Sequence, residues 1–377
     1  MVHAIILLIA TYLVWNIPDD WTNGGSMLQN INLARSLTAK VDSLPNDLTL
    51  INTCYDHSMV PVYDEIGIEC GHLDITDRGK LFKLLKYLAS ENDYRYIVCD
   101  ISFDSHLVSS DDSVLYDLLS KLPRCCIPRS SNDTILESIR HQYAISEYHT
   151  NIYNNNFLKY QYLSKHGESM ALKMAKDMNG ITISKLGPFY FEGYKLCINS
   201  HILDINTNVI SEYRENHDKN ILQLGTEVIP LLESGITGLF TNKIVMIGDC
   251  FLDDIHTSVA GPVSGMMIIY NAYHALCNKR NIPSVWVWLV LFLSYFVITL
   301  LLLYNIKPHQ FVLLRKLEKM PLLKILIEWS GFGLLFFLIG AASFFLSNTY
   351  IDAWICASYF TVFERIVNFI RNHQYKK

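Results

Sequence analysis

Residues 284–304 read SVWVWLVLFLSYFVITLLLLY, about 21 consecutive positions without a charged side chain. A helix rises 1.5 Å per residue, so this run covers about 30 Å, the thickness of a bilayer's hydrocarbon core. A segment that apolar on every side is a transmembrane candidate, and the rest of the chain has to be arranged around it. Only 18% of the residues are charged, against roughly 25% in ordinary soluble chains. The shortfall lies after Pro283, so the membrane region accounts for it.

A second run, Ile325 to Leu346, carries Glu328 near its start and Gly331, Gly333 and Gly340 within it. It is long enough to span with Glu328 at the headgroups, and its glycines would allow close helix approach. A third, in residues 350–370, is apolar from Tyr350 to Phe363 and bounded by Asp352, Glu364 and Arg365. It reads as a short span or an interfacial helix. Trp286, Trp288, Trp329 and Trp354 lie near the ends of these runs, where indoles favour the headgroup layer. Lys307, Arg315, Lys316, Lys319 and Lys324 separate the first two runs, and Arg371, Lys376 and Lys377 follow the third. The positive-inside rule puts those basic segments in the cytoplasm and everything before Ser284 on the far side. At the start, residues 1–17 contain an apolar stretch, Ala4 to Ile17, of about 14 residues. It is short for a span, lacks a basic flank and a small-residue cleavage site, and reads as a short signal anchor.

Between the anchors, residues 18–281 alternate β-rich runs with helical patterns, which predicts an α/β domain with a mixed or mostly parallel sheet and flanking helices. Strands are expected at Leu48–Cys54, Tyr96–Phe103, Cys125–Pro128 and Lys243–Gly248. Helices are expected at Arg78–Ala89, Val114–Leu122, Glu168–Met178 and Gly265–Asn278. Phe189 to Ile198 reads as a hairpin. In the helix from Arg78, Leu81, Leu84, Leu85 and Leu88 share one face opposite Lys80, Lys83 and Lys86, so the leucines should lie on the sheet. Ser130 to Asn156 has weak periodicity and is expected to be a long irregular excursion.

The net charge of −5 with no basic stripe argues against nucleic-acid binding. Nine scattered cysteines match neither a disulfide framework nor a zinc site, although Cys54 and Cys70 are a pair that an oxidising compartment would allow to bridge. No GxSxG, P-loop, HExxH, GxGxxG or CxxC arrangement occurs, so no enzymatic activity, metal or cofactor is expected.

The densest polar cluster follows the KIVMIG strand: Asp249, Asp253, Asp254 and His256, then Gly261 and Gly265. Carboxylates and an imidazole just past a strand's C-terminal end suit ligand or cation binding or acid–base work. The alternative is that they shape the turn. Asp100, near the end of YIVCDISF, faces the same choice between ligand contact and capping loop amides. If Asp100 and Asp249 end neighbouring parallel strands, they converge on one cleft. Asp77 is expected to cap the following helix. Arg78 would either pair with a sheet-end carboxylate or bind an anion. Asn271, with Tyr270, Tyr273 and His274, falls on the last helix as a ligand candidate or a satisfied core residue.

The runs ITDRGKLFKLLKYL, YRYIVCDISFDS and NKIVMIGDCFLDDIHTSVAGPVSGMMIIYNAYHALCNK, followed by apolar segments, resemble the type-two CHASE domain, the cyclase/histidine-kinase-associated sensing extracellular module. The likeness spans residues 20 to 370, loosely from Ser130 to Asn242, and the stretch before Arg78 departs from the family in reading CGHLDITDR. It implies an extracytoplasmic domain that senses an unidentified stimulus and passes a signal to a cytoplasmic kinase, cyclase or similar module; taken with the residues above, the expectation is a bacterial inner-membrane sensory or ligand-binding protein with Arg78, Asp100, Asp249, Asp254, His256 and Asn271 as its ligand-binding candidates. With only a basic tail after Phe363, the expectation is a module without its own output domain. Its partners would be the bilayer and a membrane or cytoplasmic signalling protein. The competing expectations are an assembly component of an envelope complex and a metal-dependent hydrolase using Asp100, Asp249, Asp254 and His256.

Overall fold

The computed structural model describes residues 1–18, 44–64, 66–103, 109, 112–129, 137–150, 156–205, 207, 219–258, 261–304, 339–340 and 353–374. Its main elements, in chain order, are α1 (Val2–Trp15), β1 (Leu48–Asn52), α2 (Arg78–Glu91), β2 (Tyr96–Cys99), α3 (Asp112–Ser120), β3 (Cys125–Arg129), β4 (Tyr143–Ile145), α4 (Met170–Asn179), β5 (Ile221–Gln223), β6 (Ile244–Gly248), α5 (Gly265–Cys277), α6 (Val285–Leu303) and α7 (Ala353–Gln374). They fall into two compact units. One comprises Gly25–Ile183 and Leu203–Asn278, the other Met1–Gly24, Ser184–Ile202 and Lys279–Lys377.

The first unit is an α/β fold on a six-stranded sheet of order β5-β1-β6-β2-β3-β4, parallel at every pairing. Its central strands β1, β6 and β2 are buried throughout because helices cover both faces. On one face Leu81, Leu84, Leu85 and Leu88 of α2 pack with Leu115 and Leu119 of α3 against Ile51, Ile97, Val245 and Ile247. Each fully buried leucine contributes about 1.5–3 kcal/mol, which is why the leucine spacing selects a helix lying flat on the sheet. On the other face α4 and α5 pack together and against the strands, with Met170, Leu172, Met174, Met266 and Ile269 fully buried. Asp77 caps α2, its Oδ1 accepting the Lys80 N–H at 3.0 Å. Gly180 closes α4 at φ 68°, where glycine carries no Cβ penalty.

Three elements differ from the expectation. β2 stops at Cys99 rather than running to Phe103, because its neighbour β6 ends at Gly248 and the Asp100 N–H donation to Ile247 O is the last rung between them. The excursion from Ser130 contains an edge strand, β4, after a 3₁₀ turn at Glu137–Gln142, while 130–136 and 151–155 lie outside the described residues. His57–Tyr63 and Glu69–Thr76 form an antiparallel ribbon. It leaves Met59, Tyr63, Ile66 and Ile68 exposed.

In the second unit α1 packs on α6, burying Ala4, Trp15, Val287, Leu291, Tyr295 and Ile298. The expected hairpin is present as Phe189–Glu192 and Lys195–Cys197. Tyr12 anchors it, its hydroxyl donating to Cys197 O at 3.0 Å and accepting the Tyr190 N–H at 2.8 Å. Among the described residues α6 is the one helix long and apolar enough to cross a membrane, by length and composition. Its Trp286, Leu289, Val290, Leu293 and Val297 are exposed. α7 occupies the third apolar run and extends past it through Glu364, Arg365 and Arg371. Of the second run only 339–340 is described, so Glu328, Gly331 and Gly333, like the basic loop before them, lie outside the described residues. None of the nine cysteines is in a disulfide; buried Cys54 accepts from Asn52 Nδ2 at 2.8 Å instead of bridging to Cys70.

Candidate functional site

β2 and β6 are neighbours whose continuations part: β2 leads to α3 on one face, β6 to α5 on the other. In an open α/β sheet such a point opens a crevice beyond the C-terminal strand ends. Here it is a cleft of about 520 Å³ whose wall includes Arg78, Asp100, Asp249, Asp253 and Asp254. Gly248 permits the close strand exit beneath it. A Cβ there would stand 3.1 Å from Asp100 O and 3.2 Å from Met266 Sδ.

Arg78 opens α2 and is 5% exposed. Its Nε lies 3.3 Å from Asp112 Oδ1, its Nη2 donates to Ser102 O at 3.2 Å, and its guanidinium carbon sits 4.8 Å from the Phe103 ring centre. Of the two choices read from sequence the pairing one is realised, with a carboxylate at the start of α3 rather than at a sheet end. Nη1 is buried without a hydrogen-bond partner on the cleft wall.

Asp100 is half-buried as a residue, but its Oδ2 is shut off from water and has no hydrogen-bond partner. Burial, with the Asp254 charge as a second cause, pushes its carboxyl up to about 8, because the charged form has lost its hydration without gaining a donor. Around it stand Asp254, Tyr148, Tyr160, Cys99 and Cys126. Burial and then the Asp100 charge hold the Tyr148 phenol well above its usual range. That hydroxyl donates to Gly265 O at 3.3 Å.

Asp254 lies over the first turn of α5, where a Cβ at Gly265 would overlap its Oδ2. Its Oδ1 is 2.9 Å from His256 Nε2, and the imidazole meets Tyr148 edge-on at 4.8 Å. His256 thus stands behind Asp254 and orients it. Asp249 is held by its own loop: Oδ1 accepts from Phe251 N at 2.7 Å and Leu252 N at 2.9 Å, and Oδ2 from Asp253 N. Its carboxylate lines the cleft but is spent on shaping the turn. Asn271 lies elsewhere, its Oδ1 accepting from Thr207 N at 3.1 Å and its Nδ2 donating to Thr207 O and Met267 O, both at 2.7 Å. It ties a loop to α5 and takes no part in the cleft.

Among the described residues no three His, Cys, Asp or Glu side chains converge as metal ligands. The Cys99 thiol, fully buried and pushed up to about 12, is inert as a nucleophile. The arrangement is one of recognition: an acidic wall, a buried carboxyl and a buried N–H that each lack a partner. Sequence reading missed Asp112, Tyr148 and the ribbon, which contributes Asp74, 3.1 Å from His57 Nδ1, to the cleft. Asp112 had a signal, since a carboxylate opening a helix is a standard place to hold a cation from another element. Tyr148 had none, being one of many tyrosines in an aperiodic stretch.

No protein-family model, curated protein or solved structure matches this chain.

Proposed function

We propose that this chain is a membrane-tethered module whose α/β unit binds a small ligand in the cleft beyond β2 and β6, with α6 as its membrane anchor and a membrane or cytoplasmic signalling protein as its partner. The carrying observation is that Arg78 Nη1 and Asp100 Oδ2, both buried on the cleft wall, have no hydrogen-bond partner. A buried polar group left unsatisfied costs about 1–3 kcal/mol, a cost that a ligand supplying the missing partners removes. In this reading Arg78, Asp100 and Asp254 touch ligand, His256 orients Asp254, and Asp249 and Asn271 hold backbone. The unit lies outside the cytoplasm, an assignment supported by the pattern of basic residues after α6.

The full chain in lipid nanodiscs, dialysed against a low-molecular-weight extract of its host, tests this reading. A compound retained by the wild type and lost from an Asp100→Asn, Asp254→Asn double variant is the expected result. Retention of nothing by the wild type would reject it.

A second reading, an assembly component that binds another protein, is favoured by the ribbon's exposed Met59, Tyr63, Ile66 and Ile68. Crosslinking in native membranes that recovers only structural envelope proteins would select it.

A further inference from the structure

We infer that the ligand is a small organic cation, an amine or guanidine that also carries a hydrogen-bond acceptor, and that it enters by displacing the proton of Asp100. This rests on the ligand-binding reading above and specifies its chemistry.

The charge of the cleft disfavours an anion. Asp74, Asp100, Asp249, Asp253 and Asp254 line it with Arg78 and His57; Asp112 answers the guanidinium at 3.3 Å and the imidazole stands 3.1 Å from Asp74. Charges brought together in a partly dry cleft favour a partner of the opposite sign. A divalent metal is disfavoured by the ligand set, since no three carboxylate or imidazole groups converge among the described residues and Asp249 already accepts three backbone N–H groups. An ammonium or guanidinium group asks less: it donates N–H groups to separate oxygens and needs no closed coordination sphere. Asp100 Oδ2 is an acceptor in want of a donor. Arg78 Nη1, on a side chain 95% buried, is a donor in want of an acceptor. One molecule with both functions would answer both atoms once a side-chain movement opens them to the cleft, whose volume of about 520 Å³ lies within the size of ordinary small-molecule sites, roughly 300–1,000 Å³.

The proton follows from the surroundings of Asp100. Facing it are Asp254 from the loop after β6, Tyr148 and Tyr160 from the segment after β4, Cys99 on its own strand and Cys126 on β3. Arg78 shares the cleft wall but is paired with Asp112, and His256 is paired with Asp254, so burial dominates and in the ligand-free cleft Asp100 holds its proton up to about pH 8. An incoming cation stabilises the carboxylate instead. The O–H bond of Asp100 breaks, its electron pair stays on oxygen, and the proton passes to solvent as the ligand's N–H donates to Oδ2. Affinity therefore climbs with pH, by at most about tenfold per unit, and levels off above about pH 8.

Isothermal titration of the full chain in nanodiscs tests this with putrescine, ethanolamine, L-arginine and glucosamine as cations, N-acetylglucosamine and succinate as uncharged and anionic controls, and magnesium and calcium as metals. Running each at pH 7 in cacodylate and in MOPS, neither of them a primary amine or a calcium precipitant, separates buffer ionisation from binding heat. The expected result is that at least one amine binds with release of close to one proton, its affinity rising between pH 6 and 8. Asp100→Asn should remove the proton release and flatten the pH profile. Because that variant leaves no buried charge, it is expected to fold. Preferential binding of succinate, N-acetylglucosamine or a metal, amine binding without proton release, or an unaltered profile in Asp100→Asn would each overturn the inference. So would absence of amine binding up to about 10 mM at pH 8. A non-cationic compound retained in the dialysis experiment would sink the ligand class while leaving the binding function standing; retention of nothing would sink both.

Discussion

Asp100→Asn should stabilise the sheet unit, and by an amount that depends on pH in a specified way. An aspartate ordinarily titrates at 3.8, and burial moves Asp100 to about 8 in the folded chain. For an acid raised by folding, the native state holds the proton more tightly than the unfolded one. Its stability contribution is fully present below about pH 4 and is lost progressively as pH rises to about 8. The loss runs at about 1.4 kcal/mol per pH unit, so the interval gives an upper bound of the order of 6 kcal/mol. An asparagine of the same shape carries no charge to desolvate, so variant and wild type should match near pH 4 and separate by several kcal/mol, at most about 6, at pH 8. None of the six tryptophans belongs to this unit, so indole fluorescence would be blind to the effect. Amide hydrogen exchange in β2 and β6 reads it directly, and comparing the two proteins at equal pH cancels the intrinsic exchange rate. A pH-independent offset, or a wild type better protected than the variant at pH 8, would refute the reasoning.

Three further outcomes follow from the same region. Arg78→Gln breaks a pair in which the partners are 5% and 1% exposed. It should cost about 3 kcal/mol, the low end for a buried ion pair, because Asp112 keeps the Ser109 N–H at 2.9 Å; a change under 1 kcal/mol by hydrogen exchange would show that the pair is solvated. Gly265→Ala would drive a methyl into Asp254 Oδ2, and should weaken amine binding about tenfold while retaining most of the stability, since a side chain can swing aside where a backbone cannot; unchanged titration isotherms would remove Asp254 from the site. Thiol alkylation of the native protein should modify exposed Cys70 quickly and leave Cys99, Cys125 and Cys126 untouched, because burial both shields them and pushes the Cys99 thiol up to about 12; peptide mapping that finds rapid modification of Cys99 would contradict the packing of β2.

The elements legible in the sequence are those whose physics is local. The leucines of α2 repeat at helical spacing, Asp77 precedes them as a cap, and LTLIN and IVMIG are mostly apolar, uncharged runs of strand length. The adjacency of β2 and β6 was legible only as a condition, since nothing in either strand names its neighbour, yet it is what brings Asp100, Asp249 and Asp254 to one cleft. β4 and β5, three residues each, were illegible because so short a strand has no period of its own and is held by the strand it joins. Asp249 and Asp254 look alike in sequence. What separates them is whether loop amides reach the carboxylate, a matter of backbone geometry that composition does not encode.

The position of β6 also sets an order of events during synthesis. The strand that sits between β1 and β2 is the last of the six to leave the ribosome. Until residues 244–248 emerge, β1 and β2 have no common neighbour, and each offers open backbone donors and acceptors, the groups that template wrong pairings. Contacts of such sequence separation are slow to form, so the nascent domain has to be kept from pairing with other chains for most of its synthesis. The acidic cleft comes into being only when this last strand slots home, which makes binding competence a late checkpoint on a finished domain.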